Sequence, residues 1–284
     1  MNEHKQKRYP DDHWIRSYDT QKSLEAYLEQ QSKAYSRVKN AYVRELLGDL
    51  GGKRFLDYGC GGGLFTVYAA NSGAAQVVGV DAEESVLRTA RLYARTEGVE
   101  NLCQLIPSPT FPSFPPRTRF DVILMKDVIE HLEDDQALLN AAAEAIAPGG
   151  IIVISTQNSF SLNFLIEGSY HRGLKGNKEW CGWDPTHVRF YTYFSLKNKL
   201  DRAGFTSTAW RSVYLIPYKL PALPGMGTQF LRIDPLSLLD RTIGWFFPFN
   251  LLGWNIIVKA QAGGEVPEPV KRVRYKNNNV PQTV

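Results

Sequence analysis

The spacing of apolar residues changes several times along the chain. From Leu24 to Leu46 they fall at Leu24, Tyr27, Leu28, Tyr35, Val38, Tyr42 and Leu46. That spacing predicts amphipathic helix, stopped by Gly48 and Gly51-Gly52. Beyond it, short runs that are almost wholly apolar alternate with helical stretches. Residues 54–58, 76–80, 102–106, 120–125 and 151–156 read as strands, and 64–72, 83–97 and 135–146 as helices. Strands this apolar are those of a parallel sheet covered on both faces. The alternation predicts an α/β fold, a doubly wound sheet with right-handed crossovers. Ligands of such sheets lie outside the carboxyl ends of the strands. The chemistry is therefore expected just after Tyr58, Val80, Ile106, Met125 and Thr156.

The first of these ends carries the strongest signal. Phe55-Leu56-Asp57-Tyr58-Gly59-Cys60-Gly61-Gly62-Gly63-Leu64-Phe65-Thr66 reads as strand, tight turn and helix start. The glycines fit neither register of the dinucleotide fingerprint G-x-G-x-x-G, because Leu64 or Thr66 stands where its third glycine belongs. A triphosphate-binding G-x-x-x-x-G-K-[ST] is absent too. The acid Asp57, two residues ahead of the first glycine, suits a cation better than a pyrophosphate. A second acid, Asp81, ends the next strand at about the 20-residue distance where a carboxylate meets ribose hydroxyls. A ligand with a ribose, a positive charge and no phosphate is described by S-adenosylmethionine.

The chain resembles the class I S-adenosylmethionine-dependent methyltransferases. The matching residues are 56–63, Val78-Gly79-Val80-Asp81, Phe120-Asp121-Val122-Ile123, Ile129-Glu130-His131-Leu132 and Ala147-Pro148-Gly149-Gly150. Within that family, Val128-Ile129-Glu130-His131-Leu132 is similar to the small-molecule enzymes that O-methylate ubiquinone precursors. The resemblance implies a Rossmann-like, mostly parallel seven-stranded sheet, with the seventh strand antiparallel between the fifth and sixth. It implies S-adenosylmethionine as cofactor and S-adenosylhomocysteine as product. Asp57, Gly59, Cys60, Gly61, Gly63, Asp81, Ala82, Lys126 and Asp127 are the expected cofactor residues. N-terminal helices cover the cofactor in this fold, which adds Tyr18 and Arg37. Related enzymes often place an acid after the third strand to meet the adenine; this chain has Ser108 or Thr110 in a loop stiffened by prolines. Some relatives use magnesium at an acidic-histidine cluster. Asp127, Glu130 and His131 would share one face of a helical turn, yet stabilising acids at a helix start are the preferred reading, so no metal is assigned.

Residues 157–192 are too long for an ordinary connection and follow the fifth strand. They are expected to stand over the crevice as a lid, with Tyr170, Trp183 and Tyr191 shaping an acceptor pocket. Residues 194–203 read as a helix stopped by Gly204, and 205–214 and 255–260 as the last two strands. Asp234-Pro235 marks a helix start. The aromatic stretch 245–254 is expected in the buried core, ahead of a pocket wall, a dimer contact or a membrane-surface lip. The chain so divides into a helical cover (1–50), a cofactor-binding core (51–156), a lid and helix (157–203), completing strands (204–263) and a disordered tail (264–284).

Composition changes this picture little. The 284 residues, 43% hydrophobic and 22% charged, are ordinary for a globular protein. A net charge of +4, much of it in the tails, does not indicate a nucleic-acid partner. Three scattered cysteines give neither a disulfide framework nor zinc spacing and suggest the cytoplasm. No stretch approaches the ~20 apolar residues of a membrane span, and a small molecule is the expected acceptor. Moving a methyl to a hydroxyl invites a general base. His187 in the lid and His131 after the fourth strand are the candidates.

Overall fold

The computed structural model describes residues 13–115, 118–178, 180, 182, 184, 186–217, 219–221 and 230–263. The helical cover is two helices, α1 (Thr20–Ser32) and α2 (Ala34–Leu47), parted where Lys33 turns extended. The Asp19 carboxylate caps α1 by accepting from the Gln21 and Lys22 N–H groups.

The alternating core follows as β1 (Arg54–Tyr58), α3 (Leu64–Asn71), β2 (Gln76–Asp81), α4 (Glu84–Thr96), β3 (Cys103–Pro107), β4 (Phe120–Lys126), α5 (Asp135–Ala145) and β5 (Ile146–Gln157). Strand β5 starts five residues earlier than the sequence suggested. Its register against β4 jumps from Phe120↔Ile146 to Val122↔Ile151, so the Pro148-Gly149-Gly150 stretch is an irregularity within the strand. Next come α6 (Leu162–Gly168), a π-helical turn at Ser169–Leu174 and α7 (Tyr193–Arg202), which Thr192 and Ser195 cap reciprocally. The chain ends its described part with β6 (Phe205–Val213), a small hairpin of β7 (Lys219–Pro221) and β8 (Phe230–Arg232), α8 (Ser237–Thr242) and β9 (Asn255–Ala262). As Asp234-Pro235 predicted, a 3-10 turn at Asp234–Leu236 leads into α8.

The main sheet has the order β3-β2-β1-β4-β5-β9-β6. β9 is antiparallel to both of its neighbours and the other pairs are parallel, the arrangement the resemblance implied. Successive residues of each strand serve opposite faces. Phe55, Val77, Leu124 and Val153 pack with α2 and α3, whereas Leu56, Val78, Ile123 and Ile154 pack with α5 and α7. Burial on both sides is why these runs lack polar alternation.

The aromatic stretch 245–254 corrects an expectation. Trp245, Phe246, Phe247 and Phe249 are exposed, and of the aromatic rings only Trp254 is buried. The segment runs as 3-10 turns against β6 and α8, so its backbone bonds are local and its rings cannot all turn inward. Trp245 stacks on the Arg211 guanidinium instead. The tail 264–284 lies outside the described residues.

Candidate active site

The turn after β1 uses backbone that side chains resist. Gly59 has φ 74°, and a Cβ there would come within 2.2 Å of a Val128 methyl. Gly61 has φ 55°, and nothing lies within 4 Å of its Cβ position, which opens to a cavity. The first glycine makes the turn and the second leaves room for a ligand against bare backbone. The Gly61 N–H donates to Asp81 Oδ2 at 3.0 Å, and the Glu83 N–H to Asp81 Oδ1 at 3.2 Å. The carboxylate ending β2 is thereby locked to the turn ending β1.

The cavity has a volume of about 1050 Å³ and opens at the carboxyl ends of the parallel strands. Residues 57–61 line it after β1, 81–83 after β2, Ser108 and Pro109 after β3, and 126–128, His131 and Leu132 after β4. Trp14, Tyr18, Tyr27 and Gln31 close it from the helical cover, and Thr186 enters from the 157–192 segment. Of the expected cofactor residues, Asp57, Gly59, Cys60, Gly61, Asp81, Ala82, Ser108, Lys126, Asp127 and Tyr18 are in this wall. Tyr18 stands at its rim, almost fully exposed. Gly63 is not in the wall; its absent side chain lets α3 approach Ala90 of α4. Arg37 lies on the exposed face of α2, away from the cavity.

Burial pushes the Asp57 carboxyl up to about 7, against the 2.8 Å hydrogen bond that the Thr66 hydroxyl donates to it. A carboxyl so poised ionises when a cation is placed beside it. Asp81 is also raised, chiefly by burial. A buried acid, a half-buried one, a bare glycine turn and a cavity of this volume fit S-adenosylmethionine.

Asp127, at the end of β4, is in the left-handed region with φ 56°. Burial alone would raise its carboxyl. The Lys39 and Lys126 ammoniums, with the Ser155 hydroxyl donating at 2.9 Å, outweigh burial and hold it well below the usual range. Lys39 Nζ is 2.5 Å from Asp127 Oδ2, and Lys126 Nζ is 3.2 Å from it. The expected helical face of Asp127, Glu130 and His131 does not form. The left-handed Asp127 precedes a 3-10 turn at Ile129–His131, so the three do not share a helix. Glu130 is buried and accepts from the Thr156 hydroxyl, and burial followed by the nearby Asp127 charge pushes it up to about 8. With Asp127 already paired to two lysines and set apart from Glu130 and His131 by the left-handed turn, the three do not present magnesium with the grouped oxygen ligands it takes. Glu130, His131 and His187 do converge within 4.8 Å, a nitrogen-rich set unlike a magnesium site.

The two histidines lie ring against ring, 4.8 Å apart. His131 is in the cavity wall; His187 is buried behind it and outside that wall. Burial, helped by His131, lowers His187 to about 4 against the opposing pull of Asp184. Among the expected acceptor residues, Tyr191 is core: its hydroxyl donates to Asp135 Oδ2 at 2.6 Å. Tyr170 is half-exposed on the π-helical turn and outside the cavity wall. Trp183 lies outside the described residues.

Sequence reading missed Lys39, Tyr27 and Thr186. Lys39 had a signal, since it falls on the apolar stripe of Tyr35, Val38, Tyr42 and Leu46, where a solvated lysine does not belong. Tyr27 accepts from the Leu64 N–H at the start of α3, which no local pattern reveals.

Comparison with known proteins agrees with this geometry. The family profile described as "Methyltransferase domain" matches residues 17–209. A ubiquinone biosynthesis O-methyltransferase of Idiomarina loihiensis is 33% identical over 186 residues, 64% of this chain and 73% of that one. One of Bordetella pertussis is 34% identical over 132 residues, 46% of this chain and 54% of that one, so this match spans about half of the relative's length. Among solved structures, an S-adenosylmethionine-dependent methyltransferase of Mesorhizobium loti superposes with a TM-score of 0.53 at 19% identity, covering 81% of this chain and 99% of that one. The magnesium protoporphyrin IX methyltransferase of Synechocystis, solved with S-adenosylhomocysteine bound, gives 0.55 at 14%, covering 88% and 98%. With its glycine turn, its paired acids and its strand order, this chain belongs to the class I S-adenosylmethionine-dependent methyltransferases.

Proposed function

We propose that the protein methylates a hydroxyl oxygen of a small molecule, with His131 taking the proton. The observation that carries this reading is the position of His131 in the wall beside Val128, Leu132 and Thr186. S-adenosylmethionine supplies a methyl group already activated on a sulfonium. What remains for the protein is to orient two reactants, which can account for ~7–11 kcal/mol of a barrier, and to remove a proton. Asp81 and the Gly61 backbone hold the nucleoside end, and Asp57 serves the cationic part of the cofactor. Val128 and Leu132 give the acceptor an apolar flank. An imidazole is the side chain best suited to accept a proton near neutral pH. His187 is the weaker base, since its burial disfavours the protonated form. The relatives named for O-methylation support oxygen as the acceptor atom. No described helix is long and apolar enough to cross a membrane; a cytoplasmic setting belongs to the same proposal.

The test is transfer of labelled methyl from S-adenosylmethionine to a panel of phenols, sugars and amines. Label on a phenol or sugar oxygen supports the reading. Label on amines alone, or on none, removes it.

A further inference from the structure

We propose that Asp184, acting through Thr186, fixes His131 in the tautomer that carries its proton on Nδ1 and leaves Nε2 free to accept one. The inference deepens the proposed function, because it gives His131 the orientation a base needs.

Thr186 Oγ1 is 2.5 Å from Asp184 Oδ1 and 2.9 Å from His131 Nδ1. A threonine hydroxyl has one proton to give. An ionised carboxylate has none and only accepts, so the hydroxyl proton points at Asp184. The Thr186 backbone N–H also donates to the same Asp184 oxygen at 2.8 Å, which holds the carboxylate in place. The His131 contact is then satisfied only if Nδ1–H donates to Thr186 Oγ1. In the neutral ring, Nε2 keeps its lone pair. His131 and Thr186 both line the cavity.

The neighbouring histidine does not compete for this carboxylate. His187 Nε2 is 3.9 Å from Asp184 Oδ2, beyond hydrogen-bond reach. The backbone adds a second restraint, since the Val188 N–H donates to the Glu130 carbonyl at 3.0 Å and pins this segment to the turn that carries His131.

The proton then has a defined path. The acceptor O–H bond breaks, an N–H bond forms at Nε2, and the electron pair stays on the acceptor oxygen. The imidazolium so formed keeps its Nδ1–H on Thr186, and the positive charge is offset by Asp184 through the hydroxyl. Thr186 and Asp184 are positioning residues. They touch His131 or one another and need no contact with the reacting atoms.

The test is ¹⁵N NMR of the full chain labelled at histidine, with the His131 signals assigned by their loss in His131→Ala. In the wild type the expected pattern is a protonated, pyrrole-type Nδ1 and a pyridine-type Nε2. Thr186→Val should move His131 toward the Nε2–H tautomer and lower kcat by about 10–100-fold, with KM for S-adenosylmethionine little changed. Thr186→Ser, which keeps the hydroxyl, should restore both. An Nε2–H tautomer in the wild type overturns the proposal, and so does an unchanged tautomer in Thr186→Val. Calorimetric titration of S-adenosylmethionine into the same samples separates this outcome from failure of the methyltransferase reading, because cofactor binding does not depend on the tautomer.

Discussion

Lys39 Nζ lies 2.5 Å from Asp127 Oδ2 and joins the helical cover to the end of β4. The lysine is 5% exposed, and its ammonium also sits 4.8 Å from the centre of the Tyr35 ring. A buried charge is tolerated only with its partner. Lys39→Met is expected to cost about 3 kcal/mol, at the low end for breaking a buried pair because Lys126 remains. Urea unfolding of Lys39→Met, Asp127→Asn and the double variant checks it. The double variant should cost less than the two single ones together.

Asp81 has two duties, which can be separated. It accepts from two backbone N–H groups and it lines the cavity. Asp81→Ala is expected to weaken S-adenosylmethionine by roughly 10–100-fold, the worth of one or two charge-assisted hydrogen bonds. Isothermal titration reads this directly, and circular dichroism should show the sheet intact.

Gly59 and Gly61 should respond differently to alanine. Both have positive φ, but only Gly59 has a neighbour in the way. Gly59→Ala is expected to cost roughly 2–4 kcal/mol from backbone strain and overpacking together. Gly61→Ala should cost about 1–2 kcal/mol in stability yet lose more in cofactor affinity, since its methyl enters the cavity. Thermal melts and titrations of the two variants give the comparison.

The buried acids set a pH dependence with a definite sign. Glu130 rises from 4.5 to about 8 on folding. Between those values the unfolded chain releases a proton that the folded chain keeps, so stability falls as pH rises. The slope is at most about 1.4 kcal/mol per pH unit. His187, lowered from 6.5 to about 4, acts the other way: stability rises with pH between 4 and 6.5. Asp57 adds to the Glu130 trend up to about 7. From pH 7 to 8 Glu130 dominates. Glu130→Gln, which preserves the bond from Thr156, should flatten the decline there in denaturant titrations at several pH values.

The sheet was readable because burial on both faces leaves a plain mark, a run of Val, Ile and Leu closed by a glycine or an acid. Asp57, Gly61 and Asp81 were readable for the same reason, since each sits where a strand ends. The acceptor side was not. Thr186 and Asp184 meet His131 across more than fifty residues of sequence, and no periodicity records such a meeting. Arg37 was expected at the cofactor because the resembled fold covers it with N-terminal helices, but it lies on the exposed face of α2, two residues from the buried Lys39. Two residues on a helix are about 200° apart, so the two point to opposite faces. Tyr191 looked like an acceptor-pocket aromatic, but Asp135 is within reach of its hydroxyl and holds it in the core.

The claim that His131, and not His187, takes the acceptor proton is tested most directly by measuring turnover and cofactor dissociation constants for His131→Ala and His187→Ala with the same hydroxyl acceptor. The account predicts a loss of about 100-fold or more in kcat for His131→Ala with S-adenosylmethionine affinity kept, and a much smaller kcat loss for His187→Ala. Full turnover in His131→Ala would contradict it.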